Sequence, residues 1–347
     1  MKIRIKRILC YLLLVSILVS LSGAQQTNAA TKYYKMYVNY IDVGESDCVL
    51  IQSDGKYMLI DAGNNGDGDN IVDYLENKKI KKLDYVICTH PHADHIGGMD
   101  DVIKTFDIGK VIAPAISNTT ETYEDLLKAI KNKGLKITKP VVGTKYAIGK
   151  AKFTIIAPNS YDYGDNLNNY SVGIKLTNGK NTFIFIGDNE TKAINDILKN
   201  KISLKADVYM CGHHGSDTST TKELLKAISP KYAVISVGKN SYGHPGENTI
   251  SLLANSKITT YRTDENSTIV ATSTGTNIKF NATATKFNDS KDTSTSANNK
   301  TIVYITETGT KYHKATCSML NQSKIKTTLK EAKAKGYEPC KKCHPPE

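Results

Sequence analysis

The stretch THPHADHIGG, Thr89 to Gly98, crowds His90, His92, Asp94 and His95 into six positions. Before it, Leu83–Thr89 is apolar and β-branched in the manner of a buried strand; after it, Ile96-Gly97-Gly98 leads toward a helix. The four side chains therefore sit where a strand ends and a helix begins. Alternate residues at a strand end project to one side, so His90 and His92 can reach one ion together. Asp94 and His95, past the bend, can reach a second. Imidazole suits zinc, and carboxylate also suits harder ions such as manganese. Scattered histidines are usually solvated surface residues; four ligand-type side chains at this spacing are not. Any fold for this chain has to bring further ligands to the same strand end.

Residues 1–30 are set apart. Lys2, Arg4, Lys6 and Arg7 precede an apolar run from Ile8 to Leu21, and small residues around Ala29 and Ala30 offer a cleavage point. This is the layout of a secretory signal peptide, and the run is short for a membrane span. The expectation is a secreted protein, extracellular or cell-wall associated, and not a membrane protein after cleavage. The net charge of +12 is unevenly spread. Four basic and no acidic residues lie in 1–30, and nine lysines face four glutamates in 301–347, which leaves +3 for the 270 residues between. Charge alone is weak support for a nucleic-acid partner.

Segments of strand type, Lys35–Val43, Cys48–Ser53, Lys56–Asp61, Leu83–Thr89, Lys110–Ala113, Lys152–Ala157, Ser171–Leu176, Thr182–Ile186, Asp207–Cys211, Tyr232–Val237 and Ile258–Arg262, are interspersed with helical patterns at Asn70–Lys79, Glu121–Lys133, Glu190–Asn200, Thr220–Ile228 and Glu247–Asn255. Asn178-Gly179 marks a hairpin between two of the strands. Strands mixed with helices predict α/β or α+β layering. Residues 284–300 are rich in Ser, Thr and Asn without apolar periodicity, which is linker composition. The domain expectation is a signal peptide at 1–30, a main domain at 31–283, a linker at 284–300 and a small module at 301–347.

H-x-H-x-D-H resembles the signature of the metallo-β-lactamase superfamily. YIDVGESDCVLIQ, MLIDAG, LDYVICTHPHADHIGGMDDV, NNYSVGIKL, FIFIGD, CGHHGS and SVGKNSYGHP, in that order over about residues 36–275, resemble the metallo-β-lactamase-like domain of ComEC-type competence proteins. The resemblance implies an α+β fold, an αββα sandwich with metals at one edge. It implies one or two Zn2+ or Mn2+ ions held by His90, His92, Asp94, His95, Asp188 and His244. Asp188 is the implied bridging carboxylate, and Asp94 is a ligand that also handles a proton. Asp61 is implied to orient a ligand histidine, and His213 or its neighbour His214 to face the site as ligand or as donor to the substrate. One departure bears on substrate. None of the eight histidines lies between His95 and His213, where classical β-lactamases and lactonases place a third ligand histidine, and Asn169 stands there instead. That puts antibiotic hydrolysis and two-zinc occupancy in doubt, with Asn169, His213 or water left to complete the first site. Ser171 and Ser216 are candidates for hydrogen bonds to substrate.

The tail holds His313, Cys317, Cys340 and Cys343, four soft ligands around the short helical stretch Thr327–Lys335. They fit a closed, structural Zn2+ site, with a disulfide as the competing use of the cysteines and His344 as an awkward substitute for His313. The layout distantly resembles the metal-binding domain of the Ada DNA-repair protein. The tail's positive charge suits DNA or an anionic cell-wall polymer, or simply solvates a small surface. Cys48, Cys88 and Cys211, in apolar segments, read as buried thiols. The sequence thus predicts a secreted metal-dependent hydrolase that activates water, with ComEC-type resemblance favouring a phosphodiesterase or nuclease on extracellular DNA. An esterase or lactonase on a small substrate, and a non-catalytic nucleic-acid or cell-wall binding protein, are the alternatives.

Overall fold

The computed structural model describes residues 35–287, 301–307, 309–320, 323–343 and 345–346. The expected signal segment 1–30, most of the expected linker 284–300 and His344 lie outside the described residues. The chain divides into two compact units that meet between Thr285 and Lys286.

The first unit is a sandwich of two mixed sheets. One runs, in spatial order, Ile278–Phe280, Ile269–Ser273, Met36–Tyr40, Val49–Ser53, Lys56–Ile60, Tyr85–Ile87, Val111–Ile112 and Ile137–Thr138. The other runs Thr259–Arg262, Tyr232–Ile235, Val208–Met210, Asn181–Phe185, Gly173–Asn178, Ala151–Ala157 and Lys145–Ile148. Strand alternation explains why the sequence makes two layers of core from one sheet. Val49 and Ile51 face the inter-sheet core with Met36, Val38, Tyr40, Met58, Ile60 and Phe153. Leu50 and Leu59, one residue out of phase, face the other way, toward a second core with Ile71, Leu75, Val102 and Leu126. Those last four come from helices Gly68–Asn77, Met99–Thr105 and Glu121–Asn132, which cover the outer face of the first sheet. Helices Thr191–Lys199, Lys222–Ile228 and Glu247–Asn255 follow strands of the second sheet. The layering is the αββα arrangement that the family resemblance implies.

Phe153 is fully buried between the sheets, with its ring 5.1 Å from both the Tyr85 and Tyr146 rings. Phe153→Ala is expected to destabilise the first unit by about 3–5 kcal/mol, the range for emptying an aromatic site in a close-packed core. Urea denaturation followed by tyrosine fluorescence measures it, and a loss under about 1 kcal/mol would mean that the site collapses freely.

Strand direction decides where the functional residues gather. Lys56–Ile60, Tyr85–Ile87 and Val111–Ile112 pair in parallel. So do Asn181–Phe185, Val208–Met210, Tyr232–Ile235 and Thr259–Arg262. Parallel strands release their following loops at a common edge, where open α/β sheets place their ligands. Asp61, His90, Asp188 and His213 each follow one of these strands within a few residues.

The second unit has its own small core of Val303, Ile305, Tyr312, Leu329 and Ala332. Ile302–Ile305 pairs antiparallel with Ile325–Thr328, and Lys311–Tyr312 pairs with Glu338–Pro339. Helix Leu329–Ala334 starts on a capping box: the Thr328 hydroxyl accepts from Glu331 N, and the Glu331 carboxylate accepts from Thr328 N. Among the described residues, no helix is long and apolar enough to cross a membrane.

Candidate active site

Asp61 anchors the site. It is fully buried in the left-handed backbone region, with φ 56°. Its Oδ1 accepts from Thr89 N at 2.7 Å, and its Oδ2 accepts from the Thr89 hydroxyl at 2.7 Å. The same Oδ2 lies 2.8 Å from His95 Nδ1, which fixes the ring and leaves Nε2 for the site. Burial pushes the Asp61 carboxyl up to about 6, with His95 and Thr89 opposing. The glycines after the motif let this loop close. A Cβ on Gly97 would stand 2.1 Å from the carbonyl carbon of Asn64, and one on Gly98 would meet Gly68 and Ala62 backbone at under 3 Å. Only glycine admits this approach of helix to loop.

Four ligand-type side chains, Asp94, His95, Asp188 and His214, place one donor atom each within 4.8 Å of one another. Asp188 Oδ2 is 3.2 Å from His95 Nε2 and 4.0 Å from both His214 Nε2 and His90 Nε2. His90 Nε2 is in turn 3.0 Å from His92 Nδ1. Asp188 thus stands between the His90–His92 pair and the Asp94–His95–His214 group. Its backbone N donates to Ser171 Oγ, whose hydroxyl also contacts His90 Nδ1. His213 and His214 both have positive φ, a strained backbone of the kind that clusters at functional sites.

The electrostatics are those of a cation site. Burial disfavours charge on His95, but Asp188 and Asp61 outweigh it and hold its pKa well above the ordinary value. Burial likewise opposes charge on His214, and Asp47, Asp94 and Asp188 outweigh it. Asp188 is pulled far below the carboxylate range by His95, His214 and His90 despite its burial. The field that holds protons on two buried imidazoles is the field a divalent cation would meet. The donor set tests that fit directly: Oδ1 of Asp188 is buried without a hydrogen-bond partner among the described residues, a costly state for a polar atom in a protein interior. Mixed imidazole and carboxylate donors suit Zn2+ or Mn2+. His90, His92 and Asp188 would hold one ion, and Asp94, His95, Asp188 and His214 a second.

Several expected residues have other duties. Asn169 Oδ1 accepts from Glu190 N and Ala193 N, so it caps helix Thr191–Lys199. Ser171 serves His90 and Asp188, as above. Ser216 is buried in its own turn, its hydroxyl on Thr218 and its carbonyl accepting from Thr249 Oγ1. His213 is partly exposed, with Nε2 3.7 Å from Asp188 Oδ2 and Nδ1 3.6 Å from Glu190 Oε1. His244 borders the group, its ring centre 5.2 Å from that of His213 and 6.2 Å from that of His214, and its Nδ1 is engaged by Glu45 at 2.8 Å. Of the pair His213 and His214, it is His214 that turns into the group, with Nε2 3.3 Å from Asp94 Oδ2. Sequence reasoning did not single out Asp47, 3.4 Å from His214 Nδ1, or Glu45. Both sit in the DVGESD loop, whose acidic residues carry no ligand spacing. In the second unit, His313, Cys317, Cys340 and Cys343 bring one donor atom each within 4.8 Å, with His313 Nδ1 3.3 Å from Cys317 Sγ.

Comparison with known proteins adds three relatives and a family. The metallo-β-lactamase superfamily model matches residues 41–239. ComE operon protein 3 of Bacillus subtilis is 30% identical over 251 residues, which are 67% of this chain and 32% of that protein. Recombination protein 2 of Haemophilus influenzae is 31% identical over 58% of this chain and 24% of its own. Competence protein ComA of Neisseria gonorrhoeae is 28% identical over 59% of this chain and 28% of its own. The chain spans about a third or less of the length of these relatives.

Proposed function

This chain belongs to the metallo-β-lactamase superfamily, and we propose that within it the protein is a metal-dependent phosphodiesterase that cuts DNA outside the cell. The observation that carries the reading is the buried convergence of Asp94, His95, Asp188 and His214 beside His90 and His92. A divalent ion held there supplies Lewis acidity, making water more acidic and polarising a phosphoryl or carbonyl oxygen. The chain's own residues do the rest. Asp94, part-exposed at the mouth of the group, is held ionised against its burial by His214 and His95, and is placed to take a proton from an attacking water. Asp61 holds His95, and Asp47 with Ser236 O holds Nδ1 of His214, so the nitrogens that face the site are fixed.

Two things favour a phosphodiester over a carboxylic ester. The ordered motif resemblance is to ComEC-type domains, and two relatives carry competence and recombination in their names. Export rests on the basic, apolar and small-residue layout of residues 1–30. The lysine-rich tail supports DNA or an anionic cell-wall polymer as a partner of the second unit.

The test is hydrolysis of single- and double-stranded DNA by residues 31–347 with Zn2+ or Mn2+. Cleavage is expected with one of the ions and is expected to weaken steeply between about 50 and 200 mM salt, because phosphate contacts release counterions. A folded, metal-loaded protein that leaves DNA intact but opens lactones or small esters would overturn the DNA reading.

A further inference from the structure

We propose that Tyr242 is a stacking platform for a nucleobase beside the scissile phosphate, so that the DNA cut at this site is single-stranded. This assignment rests on the phosphodiesterase reading above. Among the described residues, Tyr242 is the most exposed of the large apolar side chains, at 78%. A tyrosine exposed on a loose turn needs no explanation. Tyr242 differs in three respects: its backbone is fixed, one face of its ring is backed by protein, and it stands at the rim of the site.

Asn240 fixes the backbone. Its Oδ1 accepts from the backbone N of Tyr242, Gly243 and His244, and its Nδ2 donates to Glu45 Oε2 and His244 O. Gly238 N also donates to Glu45 Oε2, so the loop after Tyr232–Ile235 is tied to the loop after Met36–Tyr40 in the other sheet. A side chain on so constrained a turn loses little further freedom when a ligand settles on it. The Tyr242 ring stacks on the His244 ring, with centres 5.8 Å apart and planes at 29°. His244 in turn touches the rings of His213 and His214, and His214 meets Asp94. A row of rings therefore runs from the ion-binding group out to solvent, and the last of them shows its outer face to the water. In a phosphodiester chain, the part with a flat apolar face is the base. Two ring contacts separate Tyr242 from His213, so a base on that face belongs to a nucleotide flanking the phosphate at the ion-binding group. Bases inside a duplex already have both faces covered by their neighbours, and an unpaired strand offers one. Aromatic side chains grip single strands in this way without reading their sequence. Lys239, exposed in the same loop, offers a cation to a neighbouring phosphate.

The experiment separates base from backbone. Wild type, Tyr242→Ala and Tyr242→Trp are loaded with Mn2+ or Zn2+ and given three fluorescent probes: oligothymidylate, an abasic phosphodiester chain of the same length and charge, and the duplex of oligothymidylate with oligoadenylate. Wild type is expected to favour oligothymidylate over the abasic chain by about 5- to 100-fold in kcat/KM, the worth of one stacked base. The preference should lie in KM, because stacking holds the ground state and the transition state alike. The duplex should be cut no better than the abasic chain. Tyr242→Ala should bring the ratio of oligothymidylate to abasic chain close to one, and Tyr242→Trp should keep it. A merely structural role would lower both substrates together and would not be rescued by tryptophan. A wild type that cuts the abasic chain as well as oligothymidylate overturns the platform and leaves the phosphodiesterase reading standing. A base preference that survives in Tyr242→Ala overturns the assignment to Tyr242. Fluorescence anisotropy with the same probes needs no cleavage. If wild type cuts none of them, base-dependent binding that is lost in Tyr242→Ala and kept in Tyr242→Trp upholds the platform and defeats the phosphodiesterase reading. Absent or base-independent binding then overturns both.

Discussion

Replacing Asp188 with alanine is expected to abolish hydrolysis, by about 10³-fold or more in kcat/KM, and to strip metal from the site, since water activation is lost with the ion. The size of the effect follows from its position. Among the described residues, Asp188 Oδ2 is the one oxygen that lies within 4.0 Å of His90, His95, His213 and His214 nitrogens alike. Every other ligand-type residue serves one side of the group. Losing Asp188 therefore weakens both ion positions at once and leaves the buried imidazoles facing one another without a carboxylate between them. Asp61→Asn makes the informative contrast. Asp61 touches His95 and Thr89 but belongs one layer behind the ion positions, so its loss should cost about 10–100-fold and leave metal largely bound. Metal content by elemental analysis beside kcat/KM separates the two, and far-UV circular dichroism checks the fold. An Asp188→Ala protein that keeps its metal and stays within about tenfold of wild type would defeat the assignment of Asp188 as the shared ligand.

The contrast also shows which parts of the site a reader of the sequence can find. His90, His92, Asp94 and His95 are legible because they are local: six consecutive positions at a strand end carry their own geometry. The strands themselves are legible because burial on both faces writes long apolar runs, as in Val49–Ile51 and Phe183–Ile186. Asp188 is recognisable only through the order of motifs, since an aspartate ending a strand has no ligand pattern of its own. Glu45, Asp47 and which of His213 and His214 turns into the group are not legible. They depend on how two loops from different sheets meet, separated by 199 positions in the case of Glu45 and His244. Short edge strands such as Ile137–Thr138 and Lys145–Ile148 were also missed, because two to four residues on a half-exposed edge carry little periodicity. The role of Asn169 is hidden for a related reason: the sequence shows that an amide is present, but not that a helix N-terminus claims its oxygen.

Cys340→Ser is expected to unfold the second unit while leaving the first intact. The described core of that unit comprises Val303, Ile305, Tyr312, Leu329 and Ala332, too little apolar surface to offset the entropy of ordering some forty residues. A metal held by His313, Cys317, Cys340 and Cys343 would supply what is missing. All three cysteines are free thiols with their sulfurs converging on the His313 ring. The thiol of Cys340 is held below its ordinary pKa against burial by the backbone N–H groups of Lys342 and Cys343. Lys314 N donates to Cys343 Sγ at 3.4 Å. Amide donors aimed at sulfur stabilise thiolate, which is the form that binds metal. A closed tetrahedral Zn2+ fits this donor set, and structural zinc contributes about 10–16 kcal/mol in comparably small modules. In the full chain, the variant should contain one zinc fewer than wild type, and protease should cut residues 301–347 while residues 36–285 persist. The chelated wild type should behave the same way and recover on adding Zn2+. A disulfide would instead make Cys340→Ser indifferent to chelator and would show as a mass 2 Da lower in the unreduced wild type. That result would assign the tail's stability to a covalent link, with one cysteine of the three left over.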